Sequence, residues 1–185
     1  MTVNMLGCHD GIPLLDLKGL LPEEDIQNLI DTVVKRGGYV KDLHGAKNVY
    51  YQVNATYFSA LGESEQRMLM ARAIQLFMPG KPQIWYLDLF AGKNDYEAMK
   101  RAGAGGHKEI NRTNLSLAEA RELLDKPVVK KQLEMLRFRN TCPAFTEDAK
   151  VTINCDGSKM SIVWANDKAT AGLYVDFELE TYEIK

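Results

Sequence analysis

The stretch Gln83-Ile84-Trp85-Tyr86-Leu87 decides the fold class. Its aromatic and β-branched residues run on without the polar alternation of a half-exposed strand, which suits a parallel strand buried on both faces. Just upstream, Ser64 to Phe77 carries Met68, Leu69, Ala73, Leu76 and Phe77 at helical spacing, and Pro79-Gly80 stops the run. A helix feeding such a strand predicts a βα unit, because a parallel connection needs a crossover of about a dozen residues or more.

Towards the N-terminus, the apolar segment Val3 to Leu6 reads as a second strand of this kind and leads into Cys8-His9-Asp10-Gly11. Gly11-Ile12-Pro13 turns the backbone away, so two ionisable side chains sit at the mouth of a strand, where barrel enzymes place their chemistry. Leu21-Pro22-Glu23-Glu24 then opens a helix, with proline in its first turn and acids at the positive end of the dipole. Ile26, Leu29, Ile30, Val33 and Val34 form its apolar face, and Gly37-Gly38 ends it. Tyr39 to Tyr57 shows no clear period and reads as a long ordered loop, a kind of segment that more often carries function than not.

Towards the C-terminus, Asn94 or Asp95 is positioned to cap a helix, and Gly103-Ala104-Gly105-Gly106 is the most flexible point of the chain. Ser116-Leu117-Ala118-Glu119 has the spacing of a capping box, and Pro127 opens a helix to about Arg139 with Val128, Val129, Leu133 and Leu136 inward. From about Lys150 the period becomes two. Val151, Ile153 and Cys155 lie on one strand, and Met160, Ile162 and Trp164 on the next, joined through the hairpin signal Asp156-Gly157. Leu173, Val175, Phe177 and Leu179 continue the alternation, and Tyr182 to Ile184 adds a last strand.

The 185 residues have globular composition, with 45% hydrophobic and 26% charged residues. The 23 basic against 25 acidic residues leave a net charge of -2 and no Lys/Arg stripe, so nucleic acid is not an expected partner. No apolar stretch approaches the roughly 20 residues of a membrane span, and the start lacks a signal-peptide layout. Together with the three unevenly spaced cysteines Cys8, Cys142 and Cys155, this sets the expectation of a cytoplasmic protein.

Among candidate sites, His9-Asp10 has the form of a metal-binding dipeptide. The remaining histidines, His44 and His107, lack ligand spacing, so no metal is expected. The bland reading of the pair is a satisfied hydrogen bond at a strand end. Tyr50-Tyr51-Gln52-Val53-Asn54 offers the phenol and amide groups that recognise polyhydroxylated ligands, or else ordinary loop packing. Arg112, in Ile110-Asn111-Arg112, is either a solvated charge or a ligand clamp.

The joint order of these motifs is more specific than any one of them. Cys8-His9-Asp10, Tyr51-Gln52-Val53-Asn54, Pro82-Gln83-Ile84-Trp85-Tyr86, Ala91-Gly92-Lys93-Asn94-Asp95 and Ile110-Asn111-Arg112 closely resemble the C-terminal part of the sucrose phosphorylases. These form a branch of the α-amylase superfamily, glycoside hydrolase family 13. Pro127-Val128-Val129-Lys130 and Phe138-Arg139-Asn140 add to the likeness.

The resemblance implies an α/β fold. Residues 1–144 would form the last two strands of an incomplete (β/α)8 barrel with their helices and a loop and helix insertion at about 11–80. Residues 145–185 would form a small antiparallel β domain. It implies phosphorolysis of sucrose or a related α-glucoside, with retention, to α-glucose 1-phosphate and a released sugar. Inorganic phosphate is then the co-substrate and there is no other cofactor.

By the same resemblance Asp10 is the transition-state stabiliser and His9 bonds the glucosyl unit. Tyr51 and Gln52 face phosphate or the leaving sugar, and Arg112 holds the far side of glucose. The nucleophile and the acid/base carboxylate are expected on earlier strands, so the chain is expected to be inactive alone. Val49 departs from the family's usual aspartate, and Tyr51 stands where the sucrose 6-phosphate branch tends to have histidine, which leaves the acceptor open. The rival readings are a non-catalytic sugar-binding module and one half of a split enzyme. Exposed strand edges would favour an oligomer or a complementary N-terminal half as partner.

Overall fold

The computed structural model describes residues 2–42 and 50–185. In chain order its elements are β1 (Val3–Asn4), β2 (Ile12–Pro13), α1 (Glu23–Lys35), β3 (Tyr39–Asp42), β4 (Tyr50–Asn54), α2 (Tyr57–Ala60), α3 (Glu65–Phe77), β5 (Lys81–Pro82), α4 (Tyr86–Leu89), α5 (Tyr96–Ala102), α6 (Leu117–Leu123), α7 (Pro127–Thr141), β6 (Lys150–Asp156), β7 (Lys159–Ala165), β8 (Thr170–Asp176) and β9 (Thr181–Ile184). Short 3-10 segments cover Leu15–Leu17 and Gly106–Asn111. None of the helices among the described residues is long and apolar enough to cross a membrane. The chain divides into two compact units, one of residues 2–5, 65–83 and 124–185, the other of residues 6–64 and 84–123.

In the first unit β1 and β5 pair in parallel, Val3 opposite Lys81 and Asn4 opposite Pro82. The strand expected over Gln83 to Leu87 is displaced to Lys81–Pro82, and the aromatic run instead bends into the single helical turn α4. The Leu89 and Phe90 amides close the turn on the carbonyls of Trp85 and Tyr86, whose rings lie 4.4 Å apart, and distant partners hold it: Asp88 accepts the Gly7 amide at 2.9 Å and Tyr86 donates to the Thr113 carbonyl. The strand expected over Val3 to Leu6 is likewise only Val3–Asn4.

Helix α3 buries Met68, Leu69, Ala73, Leu76 and Phe77, and α7 buries Val128, Val129, Gln132 and Met135. Leu133 and Leu136, expected inward, are only half-buried; Gln132 takes the inner place because it serves Arg72. That arginine is fully buried, donating from Nε to Gln132 Oε1 at 2.8 Å and from Nη1 to Gln75 Oε1.

The four C-terminal strands form one antiparallel sheet in the order β6-β7-β8-β9, so the fold combines helices and sheets as read from the periodicities. Ile162, Trp164, Ala171, Leu173 and Val175 make its buried face, and Trp164 Nε1 donates to the Phe77 carbonyl at 2.7 Å. The β6-β7 turn is Gly157-Ser158, one residue on from the expected dipeptide, with Gly157 at φ +56°. Phe177 and Leu179 fall in the β8-β9 turn and are exposed, because the alternation stops at Asp176.

In the second unit β2, β4 and β3 form an antiparallel sheet in the order β2-β4-β3. The described residues of the ordered loop expected over Tyr39 to Tyr57 are therefore mostly strand. Residues 43–49, which include His44, Lys47 and Val49, lie outside the described residues. No alternation marks β4 in the sequence because both of its faces are buried: Val53 packs with Leu14, Ile26, Ile30 and Val33, while Gln52 and Asn54 are polar yet enclosed. On α1, Leu29 and Val34 stay exposed, leaving the narrower stripe Ile26, Ile30 and Val33 as its core face.

Candidate functional site

The Cys8-Gly11 segment is a tight turn in which the Gly11 amide donates to the Cys8 carbonyl at 3.1 Å, leaving His9 and Asp10 at the tip. Gly11 has φ +107°, and a Cβ there would collide with the Val53 carbonyl oxygen, so only glycine lets the turn lie this close to β4. The Cys8 sulfur accepts the Asp10 amide at 3.4 Å.

Every backbone carbonyl of the turn's tip is gripped by a side chain from elsewhere in the unit. Gln52 Nε2 and Asn54 Nδ2 donate to the Asp10 carbonyl at 2.5 and 2.8 Å. Asn111 Nδ2 donates to the Cys8 carbonyl at 2.7 Å, and Arg112 Nε to that of His9 at 2.9 Å. Gln52, Asn54 and Asn111 are buried, which makes these bonds well shielded from competing water.

The Asp10 carboxylate itself is ringed by cations. Lys108 Nζ lies 2.5 Å from Oδ1 and Arg112 Nη2 3.4 Å from the same oxygen, while His9 Nε2 is 3.3 Å from Oδ2. Arg112 also bonds Glu109 through Nη1 at 3.0 Å. The Lys108 hydrogen bond above all, aided by the charges of Lys108, His9 and Arg112 and opposed by partial burial, holds the Asp10 carboxyl below its ordinary value.

The His9 ring, exposed, lies 6.0 Å from Trp85, whose own ring contacts Tyr86. Tyr86 donates its hydroxyl to the Thr113 carbonyl at 2.5 Å, and burial pushes its phenol up. The result is an anionic carboxylate, half open to solvent, flanked by an imidazole, a guanidinium and an aromatic wall. Such a set can accept sugar hydroxyls and oppose a developing positive charge.

Cys8, His9 and Asp10 offer donor atoms that all lie within 4.8 Å of one another. Lys108 and Arg112, both on Oδ1 of that carboxylate, place two positive charges beside this cluster and so weaken its pull on a cation, and we assign no metal.

Of the residues singled out in the sequence, His9, Asp10, Gln52 and Arg112 come together. Gln52 does so from underneath, 4% exposed and bonded to the Asp10 backbone. Tyr51 is in β4 beside Gln52, and its side chain lies outside what is described. Asn54, Trp85 and Asn111 lay inside motifs already read but were not assigned a place at Asp10, and Lys108 lay outside every motif. The one available signal was proximity in sequence, since Lys108 and Asn111 sit just before Arg112 after a glycine run.

No family model matches the chain. It is 55% identical over 192 residues to the sucrose 6(F)-phosphate phosphorylase of Ilumatobacter coccineus, a match covering 99% of this chain and 36% of that protein. It is 39% identical to the sucrose phosphorylase of Bifidobacterium adolescentis, over 93% of this chain and 36% of that one. The crystal structure of sucrose 6F-phosphate phosphorylase from Thermoanaerobacter thermosaccharolyticum superposes with a TM-score of 0.91 at 37% identity, covering 98% of this chain and 37% of that one. The chain thus spans about a third of the length of the curated relatives it matches.

Proposed function

We propose that this chain, which belongs to the sucrose phosphorylase-like enzymes and corresponds to their C-terminal part, supplies the stabilising edge of a glucosyl pocket in a retaining phosphorolytic glucosyltransferase. The observation that supports this most directly is the Asp10 carboxylate, held in its ionised form at the tip of a braced turn and open to solvent between His9 and Arg112.

In the proposed reaction a nucleophilic carboxylate displaces the leaving sugar from the anomeric carbon of sucrose or a related α-glucoside, and the acid/base carboxyl protonates that sugar as it departs. Phosphate then displaces the enzyme carboxylate. Two inversions give α-glucose 1-phosphate with net retention, which requires the two reacting carboxyl groups to be about 5 Å apart. We assign both to the part of such an enzyme that the chain does not span. Asp10 stays ionised throughout and opposes the positive charge that builds on the sugar ring.

His9 and Arg112 hold the glucosyl hydroxyls, and Gln52 steadies the Asp10 turn. Tyr51 belongs to the side that meets phosphate or the leaving sugar, a side that Gln52, enclosed beneath the turn, does not reach. Inorganic phosphate is the co-substrate, with no further cofactor. On this reading β1 and β5, with α3 and α7, are the last strands and helices of a (β/α)8 barrel, and residues 145–185 are the appended β domain.

The test is complementation. Mixed with a separately produced N-terminal segment of a relative, the chain should release α-glucose 1-phosphate from sucrose or sucrose 6-phosphate plus phosphate. Asp10→Asn should lower that rate by about 10²–10³-fold. Equal activity of the Asp10→Asn mixture would overturn the assignment. Calorimetric binding of glucose by the isolated chain, with no activity in any mixture, would favour the sugar-binding module instead.

A further inference from the structure

The Gly106–Asn111 3-10 segment is itself built to a fixed position. Gly105 enters it with φ +86°, and a Cβ on Gly106 would collide with the Ala102 side chain. The Asp95 amide donates to the Ile110 carbonyl at 2.8 Å, Thr113 Oγ1 donates to Asp95 Oδ2 at 3.2 Å, and Tyr86 holds the Thr113 carbonyl. From this pinned segment three side chains reach the Asp10 turn: Asn111 takes the Cys8 carbonyl, Arg112 the His9 carbonyl, and Lys108 the carboxylate itself.

The two carboxylate oxygens are therefore not equivalent. Oδ1 is held by Lys108 at 2.5 Å and by Arg112 at 3.4 Å. Among the described residues Oδ2 has only His9, at 3.3 Å and 58% exposed. Arg112 is shared with Glu109 and with the His9 carbonyl, so it is tied to the turn whatever the carboxylate does. Among the described residues the Lys108 ammonium pairs with Asp10 alone, and its side chain is only 30% exposed.

We propose that Lys108 is a positioning residue, whose ammonium locks the Asp10 carboxylate in a single orientation by occupying Oδ1 and so presents Oδ2, beside His9, as the oxygen that meets the sugar. The functional consequence rests on the glucosyl-pocket reading above; the orientation and charge effect do not.

The groups facing Asp10 are Lys108, Arg112 and His9, with Glu109 beyond Arg112 and the Cys8 sulfur on the Asp10 amide. Of these, Lys108 is the leading influence that holds the carboxyl below its usual 3.8. A carboxyl depressed in the folded state lends stability above its unfolded value and loses it as pH falls through the folded one. Removing Lys108 therefore moves the Asp10 titration upward.

The primary measurement is the carbon-13 shift of the Asp10 carboxyl across an acid titration of the full chain. Lys108→Met should raise the midpoint, and Lys108→Arg should restore it towards the original because it returns a cation. An unchanged midpoint in Lys108→Met, with native circular dichroism, overturns the proposal. So does an equal rise in both variants, which would point to loss of packing instead of loss of charge.

In the complemented enzyme Lys108→Met should lower kcat by about 10- to 100-fold. It should leave KM for phosphate unchanged and move the acid limb to higher pH, with rescue by Lys108→Arg. If no mixture is active, the glucosyl reading fails while the titration still decides the role of Lys108.

Discussion

At the scale of the residue, Gly11 must hold φ +107° at a point where a Cβ would run into the Val53 carbonyl oxygen, and both requirements exclude any side chain. Gly11→Ala should therefore cost about 1–3 kcal/mol of stability. Urea denaturation of the two proteins side by side would read it, and superimposable curves would show that the turn can relax. His9 and Asp10 were legible as a pair because the glycine turn that presents them is local, although the strand expected to lead into them stops at Asn4. Lys108 was not, because it reaches Asp10 across 98 positions of sequence and nothing in its own neighbourhood distinguishes it from a solvated lysine.

At the scale of the element, helix boundaries were more legible than helix faces. The capping box at Ser116 and Glu119 forms as read, with reciprocal bonds of 2.7 and 3.2 Å, and Asp95 caps α5 at 2.8 Å from the Ala98 amide. Helix α7 starts at Pro127 as expected and runs two residues further, to Thr141. Periodicity assigns polar residues outward, however, and so overlooked Arg72 and Gln132, both fully buried where α3 meets α7. Gln132→Leu should cost about 1.5–3 kcal/mol, since it withdraws a partner from a buried guanidinium. Thermal unfolding would measure it, and adding Arg72→Met should recover part of the loss if the two residues act as a pair. An additive double variant would show that they do not.

At the scale of the whole molecule, β1 and β5 make a sheet of two short parallel strands, with Val3 55% and Met5 42% exposed. Among the described residues neither strand has a partner on its other edge, and it is the apolar side chains exposed beside those edges that favour association. The chain alone should therefore sediment as concentration-dependent oligomers, and Val3→Lys should shift it towards monomer; a monomer at every concentration would sink this expectation. The amino-acid order alone settled what depends on neighbours within a few turns of chain: helix starts and stops, the glycine turns, the alternation of the C-terminal sheet, and a motif order that pointed to the sucrose phosphorylases. Only the tertiary structure decided that the aromatic run at Gln83 bends instead of extending, that Gln52 lies beneath Asp10, and that Lys108 sets the carboxylate. These outcomes turn on contacts between distant segments, whose formation is governed by packing and by the burial of polar groups, and no local period records them.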